Sequence, residues 1–312
     1  MMKGGLVACD AAELSNYMEK NTLNEFFRNF TRIFAKNFGP KHVRMLQGDE
    51  LAASMKMYAM LGLPGCIGSL DATFVPCDGL SQSQKNMMNG DKGSGLLFNV
   101  IVDHFKRVLY VQDPVYATIN DKISVKYNDV IEMLMNRDRM MPITFKILTG
   151  DGEDDYILLS CCYVISDGGY LSIPAIISAF SGCQTERVKY KFSDWIASVR
   201  KDVECFFGIL KKRFRWFKVP NLMRSHEDVS NVFKTACILH NLILEYDGLD
   251  KLWLDDLNWS NLDPINEEKE DEQYDTENED VDEEDNYLND YTHSLRQCLQ
   301  ELTLSMNHFQ NN

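Results

Sequence analysis

Asp71 closes the apolar run Cys66–Leu70, and Asp167 follows a second one, Cys162–Ile165, with Gly168-Gly169 directly after it. Short apolar runs bounded by turn residues read as buried strands. Polar groups at the ends of neighbouring strands in an open α/β sheet converge on one crevice. Two carboxylates placed there suit a hard divalent cation, because Mg²⁺ takes oxygen ligands and is commonly held by one or two carboxylates. A third acid, Glu204, follows Asp167 with 36 residues between them, on a long amphipathic segment and off its apolar stripe. Arg200 and Lys201 lie one helical turn before it, Gly208 one turn after and Lys211 two turns after, on roughly one face. Lys212, Arg213, Arg215 and Lys218 extend the basic character. A helix that gives a carboxylate to a metal and cations to phosphates has this pattern. The same residues have a plainer reading. Strand-end Asp residues are good turn formers, Asp167-Gly168 above all, and Glu204 has a ready ion-pair partner in Arg200 or Lys201. Spacing alone leaves both readings open.

The remaining chemistry-bearing motifs are weaker. His240-Asn241 reads as a satisfied core pair. The acids of Gly150–Asp155 lack the twelve-residue calcium-loop pattern and read as a solvated loop. GDKGSG at 90–95 is not followed by the Lys-Ser/Thr that opens a phosphate-binding helix. Asp71-Ala72-Thr73 lacks the second acid that an aspartyl-phosphatase nucleophile carries two positions on.

The elements that must position these residues follow from periodicity and breakers. Residues 10–61 read as helices. Asp10 with Glu13, and Thr22 with Glu25, have capping-box spacing. Apolar residues then recur at Phe26, Phe27, Phe30, Ile33, Phe34 and Phe38, with Gly39-Pro40 as the expected stop. A further helix is expected over about Asp49–Leu61. Strands follow at Cys66–Phe74, Leu96–Asp103 and Arg107–Asp113, the last two joined across His104-Phe105-Lys106 at hairpin length. A helix is expected over Tyr127–Asn136, strands at Ile143–Leu148 and Ser160–Ile165, and a short helix at about Ile173–Phe180. Two long helices, Ser193–Phe217 and His226–Tyr246 (capped by Ser225), complete the order, the first with its stripe at Ile196, Val199, Val203, Phe206, Leu210, Phe214 and Phe217. The natural packing is α/β: a mixed sheet flanked by helices. The expected divisions are 1–61, helical; 62–248, the α/β domain; and 249–312, an acidic disordered tail with a short amphipathic helix after Thr292 (Leu295, Leu299, Leu302).

Composition sets the context. The chain has 312 residues, 45% of them hydrophobic, enough for a substantial core. No apolar run reaches the roughly 18 residues of a membrane span, and the start lacks a secretory h-region, so an intracellular protein is expected. Nine cysteines, at 9, 66, 77, 161, 162, 183, 205, 237 and 298, form no C-x-x-C pair and read as free thiols rather than zinc ligands or disulfides. The net charge of −15 is local: Asp263–Asp290 holds fifteen Asp or Glu against one Lys, which leaves the rest near −1. Such runs are solvated extensions or docking sites for basic partners, and the near-neutral remainder is compatible with a nucleic-acid substrate without requiring one.

With these features in view, the chain resembles the DDE endonucleases of PIF/Harbinger transposons and their domesticated relatives over about residues 20–246. The matching stretches are GLPGCIGSLDAT (62–73), VISDGGY (164–170), RKDVECFFGILKKRFRWFKVP (200–220) and ACILHNLILE (236–245). The resemblance implies an RNase H-like fold and a DDE triad in which Asp71 of GSLD is the first acid, Asp167 of SDGGY the second and Glu204 of DVE the third. Asn120-Asp121 is similar to an Asn-Asp pair of that family, so Asp121 is a secondary metal candidate. Phosphodiester hydrolysis with two Mg²⁺ or Mn²⁺ ions is the implied chemistry, with strand transfer as its extension. DNA is the implied substrate, with Arg200, Lys201, Lys211, Lys212 and Arg215 as the phosphate-binding set. A nuclear location and a separate Myb-like DNA-binding partner protein are implied as well. The sequence departs from the family before Asn120, where Val-Tyr-Ala-Thr-Ile replaces a Pro-Gly-Ser-like turn. It departs again over Cys77–Gly95, which lacks the usual Trp-Lys and Lys-Gly-His-Lys-like residues. These departures bear on strand transfer and target recognition more than on the fold. The alternative from another class is a catalytically inactive, domesticated DNA- or chromatin-binding protein on the same scaffold.

Overall fold

A computed structural model describes residues 19–90, 93–116, 128–135, 144–148, 156–160, 162–170, 175–180, 187–218 and 223–250. Helix α1 spans Lys20–His42 and α2 Gly48–Met60. Strand β1, Cys66–Pro76, leads to a short helix α3, Gln82–Met88. Strands β2 (Asn89–Gly90), β3 (Gly93–Val102), β4 (Val108–Val111) and β5 (Val115–Tyr116) follow. Helix α4 covers Asp129–Met135. Strands β6 (Thr144–Leu148) and β7 (Tyr156–Ser160) form their own two-stranded antiparallel pair. Then come β8 (Tyr163–Ser166), β9 (Ile176–Ser178), the long helix α5 (Arg187–Arg213), a 3₁₀ turn at Arg215–Lys218 and helix α6 (His226–Asp247).

The main sheet runs β2-β3-β1-β8-β9, with β4 and β5 also paired to β3. Because β1 covers β3 from Gly95 to Val102, β4 and β5 must occupy its other edge. β1 and β3 are antiparallel, whereas β1 with β8 and β8 with β9 are parallel, so the sheet is mixed as expected. Alternation of side chains splits the core between two faces. On one, Phe98, Val100 and Val102 of β3 meet Val203, Phe206 and Leu210 of α5 and Val232, Phe233 and Ala236 of α6. On the same side Tyr163 and Ile165 pack with Ile196, Val199 and Tyr58. On the opposite face Leu70, Ile101 and Val164 pack with Val130, Ile131 and Leu134 of α4 and Leu51 and Met55 of α2. Among the described residues no helix is long and apolar enough to cross a membrane.

Several element boundaries differ from those expected, each for a local reason. α1 begins at Lys20, its first turn closed by the Leu23 amide donating to the Glu19 carbonyl, so Thr22 is not its cap. It also runs through Gly39-Pro40 to His42. In the last turn a proline forfeits a single backbone bond, and the His42 carbonyl there accepts from Asn241 Nδ2 at 2.6 Å. The run Ser160–Ile165 is divided between β7 and β8 rather than forming one strand. The helix expected at Ile173–Phe180 is strand β9 over its described part: Ala175 has φ 80°, which no helix tolerates, and Ile176 and Ile177 pair in parallel with Val164 and Ile165. α5 starts six residues before Ser193, and the tighter turn at Arg215–Lys218 follows its end. Ser225 is the N-cap residue of α6 but makes no side-chain capping bond. The expected elements at 10–18, 150–155 and 251–312 lie outside the described residues.

Candidate active site

The parallel pairing of β1 with β8 sets the site. Ser69 is in register with Ile165, and two residues further along each chain come Asp71 and Asp167. Because side chains alternate with a period of two, Asp71 shares the face of Ser69, and Asp167 that of Ile165. That face is covered by α5, since Ile165 packs with Ile196 and Val199. The register thus turns both acids toward the helix that carries Glu204.

Arg200 makes the connection. Its Nη1 donates to Asp71 Oδ2 at 3.0 Å, and its Nη2 to Glu204 Oε1 at 2.6 Å. One guanidinium therefore bridges an acid from β1 and an acid one turn on from it in α5. Asp71 Oδ1 accepts the Ala72 amide at 2.7 Å, and Asp167 Oδ1 accepts the Gly169 amide at 2.9 Å in an Asx turn. The Asp71 carboxyl is pushed up to about 6. Burial is the main cause; the Ala72 amide and Arg200 oppose it, and the negative charges of Asp167 and Glu204 add to it. Asp71 is therefore the acid that feels both of the others through space. Among the described residues, however, no three His, Cys, Asp or Glu side chains stand together as a ready-made metal cage. The chemistry of the donor set fits a hard divalent ion, being oxygen only. The position between Asp71 and Glu204 belongs to the cation of Arg200, so a metal there requires that side chain to turn away.

Three further clusters hold these elements in place. Asp202, buried and two residues before Glu204, binds His104 Nδ1 at 2.7 Å and accepts from Lys106 Nζ at 3.1 Å. It ties α5 to the β3–β4 hairpin and fixes which way the helix is rotated. Tyr170, three residues after Asp167, donates to Asn99 Oδ1 at 3.2 Å, and Asn99 Nδ2 donates to Gln112 at 3.0 Å. Asn128 also donates to Gln112 and caps α4 through the amides of Val130 and Ile131. This anchors the residue that follows the Asp167 turn. His240 accepts from Arg213 Nη1 at Nδ1, 3.0 Å away, so its proton sits on Nε2 and is donated to the Lys106 carbonyl at 2.9 Å. Burial lowers it to about 4, the Lys106 carbonyl opposes, and the Arg213 charge reinforces. Asn241 bonds the Val108 amide and carbonyl and the His42 carbonyl. His240 and Asn241 are a structural clasp, as their place on an apolar helix face suggested.

Sequence reasoning missed Asp202, His104 and Lys106. The signal was a charged residue lying beside Val199, Val203 and Phe206 on the buried side of α5, a position that demands a partner. Of the basic residues singled out, Lys201, Lys212 and Arg215 are exposed and Lys211 is half-buried. Arg200 spends its donors on carboxylates. Asp121 lies outside the described residues.

No curated protein and no solved structure gives a match to this chain. Its sequence does match one family, plant transposon protein, over residues 41–250, two-thirds of its length, and the match takes in Asp71, Asp167, Glu204 and the clasp at His240-Asn241. The chain belongs to the plant transposon protein family.

Proposed function

We propose that this protein is a metal-dependent DNA endonuclease of the PIF/Harbinger DDE type, a transposase-like enzyme that hydrolyses phosphodiester bonds. The observation that carries the reading is Asp71: a half-buried carboxylate in the middle of β1, which runs on to Pro76 rather than ending at the acid as its apolar run suggested, raised to about 6 and flanked by the charges of Asp167 and Glu204. Like charges gathered out of water are unstable unless a cation or a proton joins them. Asp71, Asp167 and Glu204 would hold Mg²⁺ or Mn²⁺, two ions in the full reading, with Asp121 as a further candidate. Such ions supply a nucleophilic water at neutral pH and stabilise the departing 3′ oxygen. The chain's own residues do the rest. The β1–β8 register keeps two acids level, and the Asp202 anchor keeps Glu204 facing them. Arg200 neutralises Asp71 and Glu204 in the metal-free protein, and with ions bound there it would be free to join Lys201, Lys211, Lys212 and Arg215 as a phosphate contact. Strand transfer, a nuclear location and a Myb-like partner belong to the same proposal through the family resemblance.

One observation favours the second reading, a non-catalytic DNA- or chromatin-binding scaffold: Arg200 already satisfies Asp71 and Glu204 together. A plasmid-nicking assay separates the two. With Mg²⁺ the wild-type protein is expected to convert supercoiled plasmid to open circles. Glu204→Gln, half-exposed and so harmless to the fold, should lower the rate about 100-fold or more, since a metal contributes several kcal/mol and each 1.4 kcal/mol is a factor of ten. DNA retention by the wild type without nicking supports the scaffold instead.

A further inference from the structure

We infer that the outer face of α1 is a docking surface for this chain's own C-terminal segment, the acidic stretch Asp263–Asp290 with the leucines that follow it. α1 turns Phe27 and Thr31 toward α6, and leaves Phe26, Phe30, Ile33 and Phe38 at 57%, 41%, 50% and 41% exposure. Those aromatics are ordered as a ladder, with Phe26, Phe30, Phe34 and Phe38 stacked ring on ring at one-turn intervals. Scattered apolar residues on a surface mean little, but a continuous row marks an interaction site. Beside it stand Arg32 and Lys36, one turn apart, and Lys41, all exposed. Among the described residues none of the three is in an ion pair, whereas Arg28 pairs with Asp228 and Arg44 with Glu50. The face is therefore aromatic along its length and cationic at its margin.

Its complement is acidic and aliphatic. Fifteen Asp or Glu against one Lys lie between Asp263 and Asp290, and Leu295, Leu299 and Leu302 then recur at helical spacing. The chain can reach. α1 and α6 run side by side in the same direction, as Arg28 with Asp228, Thr31 with Thr235 and His42 with Asn241 show. The chain thus leaves α6 at the His42 end of α1, where Tyr246 and Leu249 are also exposed. Twelve residues separate Asp250 from Asp263, about 40 Å when extended, against about 35 Å for the 23 residues of α1. A second copy is the poorer occupant, because a two-fold contact through this face sets Arg32, Lys36 and Lys41 against their own equivalents.

Zero-length carbodiimide cross-linking of the full chain, read by mass spectrometry on an equal mixture of ¹⁴N and ¹⁵N protein, tests this. Lys36 and Lys41 are expected to join acids of 263–290 within single-isotope molecules. The yield should fall about tenfold when Leu295, Leu299 and Leu302 become Ser, since the aliphatic contact is then lost. It should fall as far in a Phe30→Ser, Ile33→Ser variant, whose exposed positions leave folding intact. Mixed-isotope links, links from α1 only to the N-terminal acids, or yields unchanged in both variants overturn the inference. So does an even spread of tail links over Lys201, Lys212 and Lys234.

Discussion

Asp71 has a side chain 19% exposed and is held well above the ordinary carboxylate range by burial, with Asp167 and Glu204 adding to the effect. An acid raised on folding binds more protons in the folded than in the unfolded state, so stability falls as pH rises from about 4 to about 6. Asp71→Asn removes that dependence. The variant is expected to melt above wild type at pH 7.5, with the gap closing on acidification through that window. Mg²⁺ should raise the melting temperature of wild type and leave Asp71→Asn unmoved; identical curves with and without Mg²⁺ for both proteins remove the metal from the proposal. His240 has the opposite sign, because an imidazole lowered to about 4 adds stability as pH rises between about 4 and its ordinary 6.5. The difference between wild type and Asp71→Asn, rather than either curve alone, isolates the carboxylate. Arg200→Gln takes away the cation that joins Asp71 to Glu204. A loss of about 2 kcal/mol is expected, less than for a fully buried pair because Glu204 is half-exposed. Calorimetry should show this as a melting decrease of roughly 4–8 °C without Mg²⁺, followed by a larger Mg²⁺-induced rise than in wild type.

Elements deliver these side chains through backbone contacts that can be tested separately. Gly68 lies where β1 passes β3 so closely that an added Cβ would stand 2.7 Å from the Val102 carbonyl oxygen. Gly68→Ala must push apart the strands that carry Asp71, at a cost of about 2 kcal/mol in denaturant unfolding. Asn241→Ala leaves the buried Val108 amide and carbonyl without the side chain that binds both. A loss of about 3 kcal/mol is expected there by the same measurement. How much of this was legible differs by element. β1, the β3–β4 hairpin and α6 were readable because their apolar runs and breakers agree. The adjacency of β1 and β8 was not, since no spacing in the chain says which strands pair or in what register. β9 was missed because a short apolar run around Ile176 has no decisive period. In α1 the helical period was plain, but it did not reveal that Phe27 faces α6 while Phe26 and Phe30 face outward. Arg200 was equally ambiguous: a cation one turn before an acid can serve phosphate or carboxylate, and only the approach of β1 shows which it meets here.

At the scale of the molecule, Asp71 within β1, Asp167 in the turn after β8 and Glu204 on α5 are far apart in the chain and are drawn toward one another only through the sheet and the packing of α5 upon it. The sheet carries two of them on a shared ruler, since Ser69 and Ile165 stand level and each acid lies two steps beyond. Lengthening a connection between elements shifts neither acid. Losing a single residue inside Tyr163–Ser166 reverses the parity and swings Asp167 to the α4 side. Copies of such a gene can therefore drift in loop length for many generations with Asp71 and Asp167 still on one face, while one in-frame codon deletion in β8 is enough to part them.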